Sequence, residues 1–441
     1  MLLRVLTFCL IAGTLSTQTL VRKAFVGIQV KESAAGLSVD SVVPHSTASK
    51  INVLKNDMIV AVNGQTVATT ADFYRIAEPL RAGDELNFDV RRRTRKIKVK
   101  GIAIARPLER SSIADITYDW VPFRGCYLRA IVRKPAGKTK SPAILLIPGY
   151  GCGSIENYSK SYNGELINAW IRSGFAVITV EKSGMGDSYG CVPCSEADLA
   201  TDIASYDAAY RYMQQLECVD RQQLYIWGHS LGGMIAPEVA KVHQPKGVMV
   251  FGTVFRPWSE FLPEMHRVQK PLLENKSYAE TEQFARLIQK VYYEFFVLKR
   301  TREELHTNPE YSSIVESELE YKPGSNNMWG RHWRFWQQID SLNLARSWSQ
   351  VECPVLVLNG GTDYEQCAAI EPRLIEETVN AAHPGNATRI EIPDLDHFMM
   401  KSSTYKEAAD NFRSRAFLKG NFNTRISTET VNWLNKQTGK S

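Results

Sequence analysis

Two features that would point to a membrane or to a nucleic acid are missing from this 441-residue sequence. After Leu15, no stretch reaches the roughly 18 consecutive apolar residues that a membrane-spanning helix needs. Neither sign of charge is in large excess, because 53 basic and 47 acidic residues leave a net charge of only +6. The locally basic run at residues 91–96 is therefore predicted to be a solvated hairpin tip, and no nucleic-acid partner is expected.

The first residues have the pattern of an export signal. Arg4 gives a short positive start, residues 5–15 are largely apolar, and Thr14 and Ser16 offer small side chains for cleavage. We therefore expect residues 1–16 to be a signal peptide and the mature protein to be exported, most simply to the periplasm. An N-terminal anchor that is not cleaved is the alternative.

Cysteine is scarce and does not occur in an arrangement typical of zinc. Cys191-Val192-Pro193-Cys194 is a C-x-x-C motif, but no second pair accompanies it, so no metal site is predicted. An exported chain permits disulfides, and the loops that carry Cys152 and this motif are expected at the same end of a sheet. We predict a structural disulfide from Cys152 to Cys194 or to Cys191. An odd number of cysteines follows the signal, so at least one thiol stays unpaired.

Residues 21–105 alternate short strand patterns with one longer helical pattern. The order of these elements, with the segments Phe25-Val26-Gly27-Ile28, Asn56-Asp57-Met58-Ile59 and Val62-Asn63-Gly64, resembles a PDZ domain of the type found in bacterial periplasmic proteases. Phe25-Val26-Gly27-Ile28 matches the loop whose backbone N–H groups, in such domains, bind a C-terminal carboxylate while the peptide adds a strand to the sheet edge. The resemblance implies a protein C-terminal tail as partner. A domain that only docks on the rest of the chain, or dimerises, is the alternative.

Residues 106–120 show no strong periodicity and are predicted to be a linker. From residue 121 to residue 441, strand patterns alternate with helical patterns, which predicts a doubly wound α/β sheet. Residues from about 256 to 350 interrupt this alternation, are rich in Trp, Glu and Arg, and are predicted to be a helical cap. The aromatic and cationic segment at 329–336 is expected to pack the cap against the body, with substrate binding as the alternative.

One short motif predicts the chemistry. Gly228-His229-Ser230-Leu231-Gly232 lies between an apolar strand pattern and a helical pattern, and it has the G-x-S-x-G form of a nucleophile elbow. In such a turn the backbone is strained and the flanking residues must lack bulk, which explains the two glycines. Ser230 is therefore the candidate nucleophile.

A serine hydroxyl needs a base, and that base needs a third group to fix its tautomer. Asp363 follows a buried strand pattern through a tight turn, and His397 follows the next strand pattern. Both fall outside the carboxyl ends of strands, where open α/β sheets carry their chemistry. We predict that His397 is this base and Asp363 the third group, so that the two form a catalytic triad with Ser230. Asp394 and Asp396 are expected to be solvated. His229 is expected to point away from the serine and either to pack or to make a supporting contact with a site residue.

Negative charge that develops on a substrate oxygen needs two N–H donors. One is expected to be the amide of Leu231, directly after Ser230. The other is expected from the glycine-rich loop at residues 148–153, where Tyr150 is the predicted donor and Gly151 the alternative. A phosphate-binding role for this loop is excluded, because no Gly-Lys-Ser/Thr follows it.

From residue 121 onward the chain resembles the serine esterases and peptidases of the α/β-hydrolase superfamily. The resemblance rests on the elbow, on the order Ser, acid, His, and on Gly184-Met185-Gly186-Asp187-Ser188, which is similar to the family's G-x-G-x-S loop. It implies cleavage of a carboxylic ester through an acyl-enzyme, without metal or organic cofactor. An exported peptidase of the same fold, or a non-catalytic PDZ adaptor, is the alternative.

Overall fold

The computed structural model describes residues 20–34, 36–158, 161–366, 368–414 and 421–439. The predicted signal peptide, Cys9 and Cys367 lie outside these residues. Within the described ranges, no helix is long and apolar enough to cross a membrane.

The N-terminal unit is an antiparallel sheet with two short helices. Its strands are β1 (Ile28–Ser33), β2 (Gly36–Val42), β3 (Met58–Val62), β4 (Gln65–Thr66), β5 (Glu85–Arg92) and β6 (Arg95–Ile102). The helices are α1 (Thr47–Lys50) and α2 (Thr70–Ala77). The strand order is β1-β2-β3-β5-β6, with β4 paired to β3, so β1 lies at an edge of the sheet. A capping box between Thr69 and Asp72 begins α2, whose buried face packs on the sheet.

The second unit is built on an eight-stranded mixed sheet. Its strands are β7 (Ala114–Phe123), β8 (Cys126–Pro135), β9 (Ser141–Ile147), β10 (Ala176–Val180), β11 (Val219–His229), β12 (Gly247–Phe251), β15 (Val355–Gly360) and β16 (Ala387–Ile392). The order is β16-β15-β12-β11-β9-β10-β8-β7, and the strands from β16 to β10 run parallel. In β9, Leu145 enters the core on one face and Leu146 the core on the other. Burial on both faces explains the continuous apolar runs in the sequence.

Helices cover both faces of this sheet and fill the segment between β12 and β15. The helices are α3 (Tyr162–Arg172), α4 (Leu199–Gln215), α5 (Leu231–His243), α6 (Trp258–Glu274), α7 (Tyr278–Tyr292), α8 (Arg302–His306), α9 (Ser312–Ser317), α10 (Trp333–Asp340), α11 (Leu344–Ser349), α12 (Ile370–Ala382), α13 (Tyr405–Arg413) and α14 (Thr424–Gln437). A π-helical turn (Tyr293–Val297) and a hairpin of β13 (Asn327–Met328) and β14 (Arg331–His332) complete the cap.

The predicted linker differs from the structure. Its second half belongs to β7, which pairs with β8 over ten residues at the outer edge of the sheet. Most residues of this edge strand are partly or fully exposed, so polar side chains interrupt the apolar pattern that marks the central strands. The sequence therefore has no clear strand signal there, and the linker prediction was wrong from residue 114 onward.

The two units meet at a buried carboxylate. Asp187 lies in the loop after β10, and its side chain is fully buried. It accepts hydrogen bonds from the guanidinium groups of Arg22 (2.6 Å) and Arg129 (2.9 Å) and from the amide of Lys23 (2.7 Å). A buried charge needs partners of this kind. The contact therefore ties the chain that enters the N-terminal unit to a loop at the carboxyl edge of the large sheet.

Candidate active site

The turn between β11 and α5 holds Ser230 in a strained conformation, with φ 55° and ψ −126°. The Ser230 amide donates to the carbonyl of Phe251 over 2.9 Å, which fixes the turn to the neighbouring strand. A Cβ at Gly232 would stand 2.1 Å from the carbonyl oxygen of Ile147, and one at Gly228 would stand 2.6 Å from that of Gly232. Only glycine allows this approach, so the strained turn depends on both.

Asp363 and His397 lie side by side after β15 and β16. The Nδ1 atom of His397 is 2.9 Å from one carboxylate oxygen of Asp363 and 3.0 Å from the other, and both side chains are buried. Burial alone would lower the pKa of His397, but the charge and hydrogen bond of Asp363 outweigh it and raise that pKa above its ordinary value. Because Nδ1 faces the carboxylate, Nε2 is the nitrogen left to exchange a proton.

Ser230 and His397 line the same cavity, whose volume is about 360 Å³. The cap contributes an apolar wall to it from α6, and residues on the body of the domain add further apolar surface. The α6 residues are Trp258, Phe261, Leu262 and Met265, and the others include Leu231, Met234, Val254, Phe398 and Phe412. The volume and lining are typical of a small-molecule site.

The residues predicted to supply N–H donors line this cavity beside Ser230. Leu231 is the first residue of α5, where N–H groups have no acceptor within the helix. Gly149 packs against the serine, since a Cβ there would stand 3.4 Å from that of Ser230. The next amide, that of Tyr150, has no acceptor among the described residues. Tyr150 and Gly151 both line the cavity.

Two residues next to the predicted site differ from expectation. His229 does not point away, because it lines the cavity and its Nε2 lies 2.9 Å from the carbonyl oxygen of His397. Burial lowers the pKa of His229 to about 3, so the ring is neutral. Asp396 is buried rather than solvated, and it accepts hydrogen bonds from the amides of Phe398 and Met400. It therefore shapes the turn that carries His397, whereas Asp394 is exposed as expected.

Glu365 is a cavity residue that sequence analysis missed. It lines the same space as Ser230 and His397, and burial raises the pKa of its carboxyl. The signal in the sequence was its position two residues after Asp363, which is not enough to separate a cavity residue from a solvated one.

Two disulfides are present near the carboxyl edge of the sheet. One joins Cys152 to Cys194, which is one of the two pairings the sequence left open. The other joins Cys126 to Cys191 and was not foreseen. The C-x-x-C motif thus supplies one cysteine to each of two bridges. Among the described cysteines, Cys218 and Cys353 are unpaired.

A doubly wound sheet with a serine at a strained strand–helix turn, and with an acid and a histidine after later strands, defines the α/β hydrolases as a class. Residues 144–410, more than half of the chain, match the sequence model of the alpha/beta hydrolase family. The chain therefore belongs to the alpha/beta hydrolase family. Residues 24–101 match the model of the PDZ domain, so an N-terminal PDZ domain precedes the hydrolase. The resemblances to an alpha/beta hydrolase and to a PDZ domain are thereby confirmed at the level of the family.

The individual proteins that resemble this chain share low sequence identity with it or match only a short part of it. An uncharacterized 31.7 kDa protein in the traX-finO intergenic region of Escherichia coli is 25% identical over 307 residues, covering 65% of this chain and 94% of that protein. Human Protein ABHD12B is 33% identical over 98 residues, covering 22% of this chain and 25% of that protein. A thermostable carboxyl esterase from Bacillus coagulans aligns with a TM-score of 0.44 and 14% identity, over 74% of this chain and 99% of that one. None of these likenesses carries a substrate over to this chain.

The contact between Asp363 and His397 raises the pKa of His397, and this shift can be measured. We predict that the pKa of His397 lies above 6.5, the ordinary value, and falls in Asp363→Asn, because the neutral amide removes the charge that stabilises the imidazolium. NMR titration of ¹⁵N-histidine-labelled protein measures this, with His397→Gln to assign the signal. An unchanged pKa in Asp363→Asn would contradict the electrostatic role of Asp363.

Proposed function

We propose that the protein is a serine hydrolase that cleaves small carboxylic esters through an acyl-enzyme intermediate. The observation that carries this proposal is a single cavity lined by Ser230 and His397, with His397 held by Asp363. Nucleophile, base and orienting acid are the minimum set for acyl transfer by serine.

In the proposed reaction, Ser230 Oγ attacks the ester carbonyl carbon while His397 Nε2 takes the hydroxyl proton. The amides of Tyr150 and Leu231 stabilise the negative charge on the carbonyl oxygen. The intermediate then collapses, the C–O bond breaks, and His397 returns the proton to the departing alcohol. A water molecule, deprotonated by His397, releases the acid and restores Ser230. Asp363 keeps the imidazole in the required tautomer throughout.

The shape of the cavity favours small esters over peptides. Helix α6 of the cap forms one wall, and a volume of about 360 Å³ suits an acyl or alcohol group of modest size. An extended polypeptide needs a longer groove that accepts main-chain hydrogen bonds. An exported peptidase of the same fold therefore remains the second choice.

We propose further that the protein works outside the cytosol. The two disulfides support this, because such bridges persist in oxidising compartments. The signal-like pattern at residues 1–16 agrees with it.

A second activity is proposed for the PDZ domain, the binding of a protein C-terminus. The supporting observation concerns the loop before β1, where the amides of Val26 and Gly27 have no acceptor among the described residues and Gly27 has φ +73°. Adjacent free N–H groups of this kind suit a carboxylate. The strand that follows, β1, lies at the sheet edge beside α2, so a peptide strand has a free partner there.

The hydrolase proposal predicts covalent labelling at one serine. A fluorophosphonate probe should label the wild type and the control Ser349→Ala, whose serine lies outside the cavity, but not Ser230→Ala. Turnover of p-nitrophenyl esters should fall by about 10⁴-fold or more in Ser230→Ala, because the nucleophile is lost. A panel of esters of rising chain length beside aminoacyl-nitroanilides separates esterase from peptidase. Turnover of the anilides alone would contradict the ester assignment.

The PDZ proposal predicts binding that requires a free carboxylate. Peptides with apolar C-termini should bind the full chain, and the same peptides amidated should not. Gly27→Ala should weaken binding by about tenfold or more, because its Cβ would stand 2.0 Å from that of Ser46 and displace the loop with its N–H groups. A lost hydrogen bond to a charged group is worth about 1.5–3 kcal/mol. Gly83→Ala is the matched control, since Gly83 also has positive φ but faces open space. Equal binding of amidated peptides in fluorescence anisotropy would refute carboxylate capture.

A further inference from the structure

Two buried cations hold the loop that borders Ser230. Lys182 lies two residues after the end of β10, and its ammonium donates to the carbonyl oxygens of Gly149 and Gly151, the latter over 3.2 Å. Arg331, in β14 of the cap, donates from Nη1 to the carbonyl oxygen of Tyr150 over 2.9 Å. Three consecutive carbonyl groups of the loop are thus bound by these two side chains.

We propose that Lys182 and Arg331 are positioning residues, which hold these carbonyl groups so that the N–H groups of the loop face the reacting carbonyl of the substrate. The proposal rests on the serine hydrolase function above. It assigns a role in catalysis to two side chains that do not touch the substrate.

The planarity of the peptide bond carries the argument. In a trans peptide, the C=O of one residue and the N–H of the next point in opposite directions. Fixing the carbonyl of Gly149 therefore aims the amide of Tyr150 away from Lys182, and fixing the carbonyl of Tyr150 aims the amide of Gly151 away from Arg331. The amide of Tyr150 has no other acceptor among the described residues. A glycine-rich loop has little intrinsic preference for one orientation, so outside contacts must select it.

Charge reinforces this orientation. The side chains of Lys182 and Arg331 are 2% and 0% exposed, and within the described ranges both pair with the carboxylate of Asp202, at 3.9 Å and 3.0 Å respectively. Two cations therefore share one anion behind the loop. Burial lowers the pKa of Lys182 to about 8, and Arg331 acts in the same direction, while Asp202 opposes both. A cation at the carbonyl end of a peptide polarises that peptide and makes its N–H a stronger donor.

Arg331 links the loop at residues 148–153 to the cap, because it lies in β14 of the cap. Arg331 also donates to the carbonyl of Ala197 (3.2 Å), three residues after Cys194, which is bonded to Cys152 at the end of the loop. The loop is thus bound on the sheet by Lys182 and on the cap by Arg331. The orientation of the loop therefore depends on contacts from both the sheet and the cap.

The test compares an ester with its thionoester, in which sulfur replaces the carbonyl oxygen. Sulfur accepts hydrogen bonds poorly, so the ratio of kcat/KM for the two substrates reports the N–H donors and cancels any loss of folded protein. In Lys182→Met and Arg331→Lys, this ratio should fall by at least about tenfold, while KM for the ester changes little. Arg302→Lys is the matched control. Arg302 is a buried cap arginine whose hydrogen bonds, among the described residues, go to the cap carbonyls of Leu319, Glu320, Ser325 and Asn327.

A second readout does not depend on turnover. Hydrogen exchange of a peptide spanning residues 148–153 should be faster in Lys182→Met and Arg331→Lys than in the wild type or Arg302→Lys. An active enzyme whose substrate ratio and loop exchange are unchanged in both variants, or shift equally in the control, would overturn the proposal. If the wild type hydrolyses no ester, the proposed function fails instead. In that case, unchanged hydrogen exchange in both variants would also refute the positioning role of Lys182 and Arg331. Faster exchange in these two variants alone would show that they still hold the loop in place.

Discussion

The close approach of three main-chain segments at Ser230 is the constraint on which the rest of the hydrolase unit depends. Helix α5 begins so near the end of β9 that no side-chain atom fits between Gly232 and the carbonyl of Ile147. This contact requires β9 and β11 to be parallel neighbours with matching ends, as their pairing has it. The same approach brings the loop after β9 against the serine and directs the N-terminus of α5 at the cavity. Strain at Ser230 is thereby supported by a central part of the core, which is where such strain persists.

Distant parts of the chain converge behind this turn. The loop after β10 contributes Lys182 to the carbonyls beside Ser230 and, five residues later, Asp187 to the contact with the N-terminal unit. The cap contributes Arg331, and the disulfide between Cys152 and Cys194 closes the end of the loop. The cavity is therefore assembled from the sheet, the cap and a covalent bridge, so disturbing any of them is expected to reach the donor groups.

Much of this fold and site was predictable, for a physical reason. In a parallel sheet the carboxyl ends of the strands meet at one edge, so Ser230, Asp363 and His397 come together once their strands are recognised by continuous apolar runs. Residues with no such anchor were missed. Lys182 binds carbonyls 31 and 33 positions away and Arg331 binds one 181 positions away, and long-range contacts of this kind leave no local pattern. The position of His229 at the cavity and the burial of Asp396 were misjudged, because both depend on how the chain folds around them and not on the residue type. Strand β7 was hidden by the polar side chains of a solvated edge.

The central claim is that Ser230 carries the acyl group during turnover, and direct detection of that intermediate tests it. Wild-type protein mixed rapidly with a p-nitrophenyl ester and quenched in acid should carry one acyl group, found by mass spectrometry on the peptide that contains Ser230. Under the same conditions Asp363→Asn should acylate more slowly, with the acyl group at the same serine. An ester that is turned over while the acyl group appears on another residue, or on none, would contradict the account.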